Sequence, residues 1–208
     1  MKHITYSGLF LAIIIVVSGC GPIDPNRQVD EGSVENDVYT SEEIGWTIKI
    51  PSGWEIISMK QHEEFEKKGM DVMEGAIDEE IDASGLRNLI GFQKDQFNIF
   101  QSTSEPFEIE NESEWEENSA ALKQIIYLAY QDQGILVDST PTTIARVAGR
   151  DFETYEFSIY SQEGELILNQ LLFSRHINGY DFGVNINYNN ESDKQEMLDA
   201  WMNSKFGK

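Results

Sequence analysis

Residues 150–188, which read RDFETYEFSIYSQEGELILNQLLFSRHINGYDFGVNINY, carry closely spaced strand and turn signals. In the last part of this stretch, apolar residues at 182, 184, 186 and 188 alternate with Asp181, Gly183, Asn185 and Asn187. Alternation with a period of two is typical of a strand with one buried face. Glu163-Gly164 and Asn178-Gly179 are turn signals, and Asn-Gly favours a two-residue hairpin. The stretch therefore predicts three strands, over residues 150–160, 166–175 and 180–188, paired antiparallel.

Further strands are predicted outward from this region. Trp46, Ile48 and Ile50 share one face of a strand that ends at the turn Pro51-Ser52-Gly53. The other predicted strands cover residues 54–57, 89–92, 97–101 and 142–147. Aromatic residues on the strands are predicted to be mostly core, with a ligand or peptide groove as the alternative: Trp46, Trp54, Tyr155, Phe157, Tyr180 and Phe182.

Three helices are predicted among these strands. Residues 61–81 have helical spacing of apolar side chains. A second helix begins near Ser113, which forms a capping-box pattern with Glu116, and ends before Gly134. A third covers residues 190–206. Strand hairpins with helices set among them indicate an α+β domain, whose central sheet is largely antiparallel and packed by helices.

The N-terminus carries a different signal. Residues 9–17 are all apolar, too few to span a bilayer as a helix but suited to a signal peptide. Val17-Ser18-Gly19-Cys20 resembles the lipobox of bacterial lipoprotein signal peptides, which is an aliphatic residue, two small residues and a cysteine. The resemblance implies cleavage after residue 19 and a diacylglyceryl group on Cys20, which would anchor the protein to a membrane. Cys20 is the single cysteine, so it has no disulfide partner within the chain.

The residues after the lipobox have few apolar side chains. Residues 20–38 are predicted to be the lipidated N-terminus and a flexible tether with a typical reach of about 20–25 Å. The predicted organisation is a signal peptide over 1–19, the tether over 20–38 and one α+β domain over 39–208.

The charge balance limits the partners. The formal net charge is −22, which argues against nucleic acid, because phosphate contacts need clustered Lys and Arg. It also disfavours direct adhesion to anionic lipids and favours cationic ligands or basic surfaces.

The order of strand and helix signatures resembles the PsbP-like families, which share an α/β/α sandwich around an antiparallel sheet. The resemblance spans about residues 40–208 and rests on Gly45–Trp54, the helix around Trp115–Tyr130, Val147–Arg150, Asn178–Tyr188 and the ending Ser204-Lys205-Phe206. These families include thylakoid-lumen photosystem subunits and bacterial envelope proteins. The resemblance implies a non-enzymatic binding or assembly domain, and it assigns no functional residue to a position in this chain.

Residues with catalytic or metal-binding chemistry are few. His62, beside Glu63, Glu64 and Glu66, is predicted to lie on an exposed acidic helix face, and His176 at the surface. No Gly-x-Ser-x-Gly elbow or phosphate loop occurs in the sequence. Two acidic clusters suit calcium by ligand type but lack EF-hand spacing: Asp78-Glu79-Glu80-Asp82 and Glu108, Glu110, Glu112 and Glu114.

The sequence therefore predicts a non-catalytic lipoprotein of the cell envelope. It would be held on a bacterial membrane, inner or outer, by lipid on Cys20, outside the cytoplasm, and would bind another envelope component, in first place a protein. No catalytic residue, cofactor or metal is expected. The alternatives are an envelope hydrolase or metal-dependent enzyme with a site that forms only in three dimensions, and a lipoprotein that captures a small ligand or cation.

Overall fold

The computed structural model describes residues 24–78 and 81–207. Three α-helices lie within these residues: α1 (Met59–Ile77), α2 (Glu112–Asp132) and α3 (Glu191–Met202). The strands are β1 (Ser33–Glu35), β2 (Val38–Ser41), β3 (Trp46–Lys49), β4 (Glu55–Ile56), β5 (Arg87–Gln93), β6 (Ile99–Pro106), β7 (Leu136–Ser139), β8 (Thr143–Val147), β9 (Arg150–Tyr160), β10 (Leu166–Ile177), β11 (Tyr180–Tyr188) and β12 (Lys205–Phe206).

The main sheet has eight strands in the order β4-β5-β6-β11-β10-β9-β7, and β8 also pairs with β9. Every pairing in it is antiparallel. β10 and β11 form a hairpin through Asn178 and Gly179, whose φ angles are 54° and 85°, as a type I′ turn requires. The predicted hairpin and the α+β class are confirmed.

A second, four-stranded sheet has the order β1-β2-β3-β12. β1 belongs to the segment predicted as a flexible tether, and that prediction is wrong for residues 24–38. Val34 lies in β1 and is 7 % exposed, and the Asn26 side chain bonds both its backbone N–H (2.7 Å) and its carbonyl (3.1 Å). Polar side chains of this segment form hydrogen bonds to the backbone and hold it in place. Its polar composition was therefore wrongly interpreted as a sign of flexibility. Residues 20–23 lie outside the described part of the chain.

The main core lies between one face of the main sheet and a layer formed by α3 and the small sheet. Trp46 and Trp201 are fully buried there, with ring centroids 5.8 Å apart, and Phe152 lies 5.1 Å from Trp201. Tight aromatic packing of this kind dominates the stability of a core. The expectation that the strand aromatics are mostly core is met, with Tyr180 only half-buried.

Helix boundaries differ from the prediction at all three helices. α1 covers Met59–Ile77 in place of the predicted residues 61–81, and it ends where Asp78 adopts a left-handed conformation with φ 55°. Ser113 is not the cap of α2, because the N-cap residue is Asn111. The Ser113 hydroxyl donates to the Asn111 side-chain oxygen. α3 ends at Met202, because Lys205–Phe206 pair with β3 as a strand and bring the Phe206 ring to 6.2 Å from that of Trp201. Gly134 follows α2 with φ 68°, as predicted.

Candidate functional site

The opposite face of the main sheet, which α1 and α2 cover, is polar at its centre. Since alternate residues of a strand point to opposite faces, the apolar half of β11 faces α3, and its polar half faces α1 and α2. β6 and β10 add to the same polar face. The uncharged side chains that form its central floor are Gln101, Thr103, Gln170, Asn185 and Asn187.

Three adjoining cavities lie between this floor and the two helices. Their volumes are about 240, 510 and 490 Å³. The first lies under α2, the second under α1 and the third between the helices, and Asn185 lines all three. We call this space the interhelical cleft. The two larger volumes fall in the range of about 300–1,000 Å³ typical of small-molecule sites.

Asn185 lies at the junction of the cleft. Its Oδ1 atom is buried and has no hydrogen-bond partner among the described residues. Its Nδ2 atom makes a long contact of 3.5 Å to the Gln101 Oε1 atom. An unpartnered buried acceptor costs about 1–3 kcal/mol, so this carbonyl oxygen is available to a donor that enters the cleft.

His62 lines the cavity under α1, and the prediction that it lies on an exposed face is wrong. Its side chain is 1 % exposed, and neither ring nitrogen has a partner among the residues described. The ring packs on Gly91 of β5, where only the absence of a Cβ leaves room for it. Burial lowers the pKa of the imidazole, although the charge of Asp30 partly opposes this. A neutral ring offers one donor and one acceptor.

A pair of carboxylates lies at the α2 end of the cleft. Asp181 and Glu105 are register partners on β11 and β6 and both line the smallest cavity. Burial raises the pKa of Asp181, while the hydrogen bond from Trp115 Nε1 to Asp181 Oδ1 (3.0 Å) lowers it in part. Burial, then the charge of Asp181, raises the pKa of Glu105.

The polar groups beside these carboxylates are bonded to each other or to the backbone. The Ser119 hydroxyl donates to Glu153 Oε2 (2.7 Å) and lies 3.4 Å from the Ser174 hydroxyl. His176, predicted at the surface, is half-buried, and its Nε2 atom lies 2.9 Å from the carbonyl oxygen of Phe107. Among the described residues, these bonds pair neither hydroxyl with a histidine.

The acidic clusters have separate local partners where they are described. Asp82 accepts the Ser84 backbone N–H (3.0 Å), and Glu114 accepts that of Glu110 (3.0 Å). Glu79 and Glu80 lie outside the described residues, as does the side chain of Glu112. Across residues 24–78 and 81–207, no three His, Cys, Asp or Glu side chains are arranged to hold a metal ion.

The predicted signal peptide and Cys20 also lie outside the described residues. In the part of the chain that the structure covers, no helix combines the length and apolar character needed to cross a bilayer.

The sequence contained one signal for the cleft. The polar positions of residues 181–187 were visible as half of a strand pattern, but they are equally typical of a solvent-facing surface. That helices cover them is a property of the tertiary structure, and His62 becomes part of the site only through contact with β5.

Comparisons with known proteins give a structural likeness. No protein-family model matches the chain, and no curated protein matches it. The solution structure of cyanobacterial PsbP (CyanoP) from Synechocystis sp. PCC 6803 superposes with a TM-score of 0.54 at 8 % sequence identity, covering 92 % of this chain and 99 % of that one. The α/β/α arrangement expected from the sequence is confirmed, and the chain therefore has a PsbP-like fold.

Proposed function

We propose that this protein is a lipid-anchored, non-catalytic binding protein of the bacterial cell envelope. Its domain lies outside the cytoplasm and recognises another envelope component. The lipobox-like residues Val17–Cys20 support the anchor. The resemblance of the fold to PsbP-like domains is consistent with a binding or assembly role, although fold alone is a weak guide to function.

The observation that carries the binding role is the interhelical cleft centred on Asn185. Its floor consists mainly of uncharged amides and a hydroxyl, which recognise a ligand by hydrogen bonds without themselves transferring protons at neutral pH. α1 covers this floor loosely: among its described residues only His62 is buried. A concave site with a preformed polar floor is typical of ligand recognition.

The anchor is tested by replacing Cys20 with Ser and labelling cells with radioactive palmitate. We expect label and membrane association in the wild-type protein and loss of both in the variant. Equal membrane association of an unlabelled variant would contradict lipid anchoring.

The binding role is tested by photo-crosslinking in intact cells. A crosslinking amino acid at Leu122, a half-exposed residue lining the cleft, should give a discrete adduct. The same amino acid at Ile144, which is 65 % exposed on β8, serves as the matched control. Equal adducts from both positions, or none from Leu122, would count against a binding site in the cleft.

One observation favours a second candidate, an acid–base enzyme. Asp181 combines a raised pKa with a place on the cleft wall beside Glu105, and perturbed carboxylates are characteristic of catalytic sites. A panel of envelope ester, amide and glycoside substrates tests it. Turnover that is lost in Asp181→Asn would establish the enzyme and overturn the non-catalytic proposal.

A further inference from the structure

We propose that the interhelical cleft binds an uncharged, hydroxyl-rich ligand, that is, a saccharide. The inference deepens the proposed function and rests on it, since it names the chemical class of the envelope component that the domain recognises.

The first argument is the kind of polar group that the cleft presents. Many side chains around the two cavities that meet under α1 can each both donate and accept a hydrogen bond while uncharged, among them His62, Gln101, Thr103, Gln170, Asn185 and Asn187. A sugar hydroxyl also donates and accepts at one atom. Each hydroxyl can therefore satisfy either end of these amides, whereas a carboxylate, which only accepts, or an ammonium, which only donates, can satisfy one end alone.

The second argument is that two of these groups lack partners. His62 is 1 % exposed, and neither of its ring nitrogens has a hydrogen-bond partner among the described residues. The Asn185 Oδ1 atom is also buried without a partner among them. Both line the cavity of about 510 Å³. Buried polar groups are normally bonded, so an incoming group that donates to one atom and accepts from another would be strongly favoured here.

The third argument is the apolar wall opposite the floor. Phe65 and Met73 of α1 and Ile126 of α2 line the larger cavities, and Leu172 adds one apolar side chain to the floor. A pyranose ring has a C–H face as well as a hydroxyl rim. A site with amides on one side and an aromatic and aliphatic wall on the other matches both.

Charge does not favour an anion in the cleft as a whole, nor a cation in the larger cavities. Three carboxylates (Glu66, Glu105 and Asp181) line the cleft against the one exposed ammonium group of Lys68, so a phosphate or carboxylate gains no net attraction. The two carboxylates Glu105 and Asp181 lie only at the smallest cavity, while Lys68 lines both larger ones. An ammonium group would therefore meet Lys68 where most of the space lies.

The test is calorimetric titration of the purified full chain in a polyoxyethylene detergent, whose headgroup carries no sugar. The probes are maltotriose, cellotriose and N,N′-diacetylchitobiose, with spermidine as the cationic and glucose 6-phosphate as the anionic comparison. We expect saturable binding of at least one neutral saccharide and none of the phosphate. No heat from any saccharide at millimolar concentration, or saturable binding of spermidine instead, would overturn the inference.

Two variants locate the binding. Asn185→Leu keeps a similar volume but removes both hydrogen-bonding ends, and Gln101→Met does so on the neighbouring strand. Each should weaken binding about tenfold to hundredfold, the loss expected when a buried hydrogen-bonding group is left unpaired. Gln195→Leu removes an exposed amide on α3, outside the cleft, and should leave the dissociation constant unchanged.

Urea unfolding of each variant checks that the fold is intact, and the second cleft variant keeps the test decisive if the first is unstable. Saccharide binding that both cleft variants leave intact would overturn the inference. This outcome is distinct from failure of the proposed function: a crosslinked envelope partner can be captured by a protein that ignores sugars, and sugar binding can persist in a Cys20→Ser chain that lacks lipid.

Discussion

Substitution of Gly91 by Ala provides a direct test of how α1 sits on the sheet. A Cβ at this position would lie 2.7 Å from His62 Cε1, 2.8 Å from Ile57 Cδ1 and 3.1 Å from His62 Nε2. Carbon atoms in good contact are about 3.5–4.0 Å apart, so the two nearest contacts are too close by about 0.7 Å or more. Overpacking of this kind typically costs about 1–3 kcal/mol.

The opposite sign is expected if neither His62 nor Ile57 packs on Gly91. Ala is more favourable than Gly in a strand by about 0.5–1 kcal/mol, so an unobstructed Gly91→Ala would stabilise the protein. Combining both effects, the structure predicts a net loss of about 1–2 kcal/mol in the free energy of unfolding. With an m-value of about 2 kcal/mol/M, the urea midpoint should fall by about 0.5–1 M.

A matched control lies in α1 itself. Gly69 has no atom within 4 Å of an added Cβ, so Gly69→Ala should raise the free energy of unfolding by about 0.5–1 kcal/mol through helix propensity. In a His62→Ala background, Gly91→Ala should cost at least about 0.5 kcal/mol less than in the wild type. A higher urea midpoint for Gly91→Ala, or equal costs in both backgrounds, would refute the packing of His62 on β5.

Three further outcomes are expected. The pKa of His62 is lower in the folded state than in the unfolded state, so as the pH falls the unfolded state is protonated before the folded state. The free energy of unfolding of the wild type, compared with that of His62→Leu by urea titration, should therefore be constant above about pH 6.5 and should decrease toward about pH 5. Trp201→Ala should lower the free energy of unfolding by about 3–5 kcal/mol in urea titrations, since its fully buried indole contacts Trp46 and Phe152; a loss under about 1 kcal/mol would contradict its central place in the core. Asn26→Ala should lower the free energy of unfolding by about 1 kcal/mol and speed hydrogen exchange of the Val34 backbone N–H, which donates to the Asn26 side chain. If this N–H already exchanges freely in the wild type, the prediction of a flexible tether would be correct after all.

The elements that the sequence predicted well are those whose signal is local. Asn178-Gly179 fixes its hairpin through backbone conformation alone, and the alternation of residues 180–188 gives β11 to the residue. Gly134 similarly marks the end of α2. In each case the side chains that carry the pattern are adjacent in the chain, and no distant contact is needed to interpret them.

The predictions that failed depend on contacts between distant segments. His62 is flanked by acidic residues, yet the burial of its ring depends on Gly91 in another element. Short β7 (Leu136–Ser139), which was not predicted, exists through its pairing with β9. The cleft is of the same kind, because Asn185 belongs to a polar strand face that only the placement of α1 and α2 converts into a site.

If Cys20 carries lipid, as proposed, the ordered N-terminal segment limits how far the domain can move from the membrane. Asp30 is tied to β5 by bonds to the Asn88 carbonyl (2.9 Å) and backbone N–H (2.7 Å). With lipid on Cys20, as proposed, only four peptide steps separate the anchor from Asp24, a contour length of at most about 14 Å. That is about half the thickness of a bilayer core. The domain would therefore stay at the membrane surface with few accessible orientations. The cleft would meet only ligands that lie within about one domain diameter of the membrane.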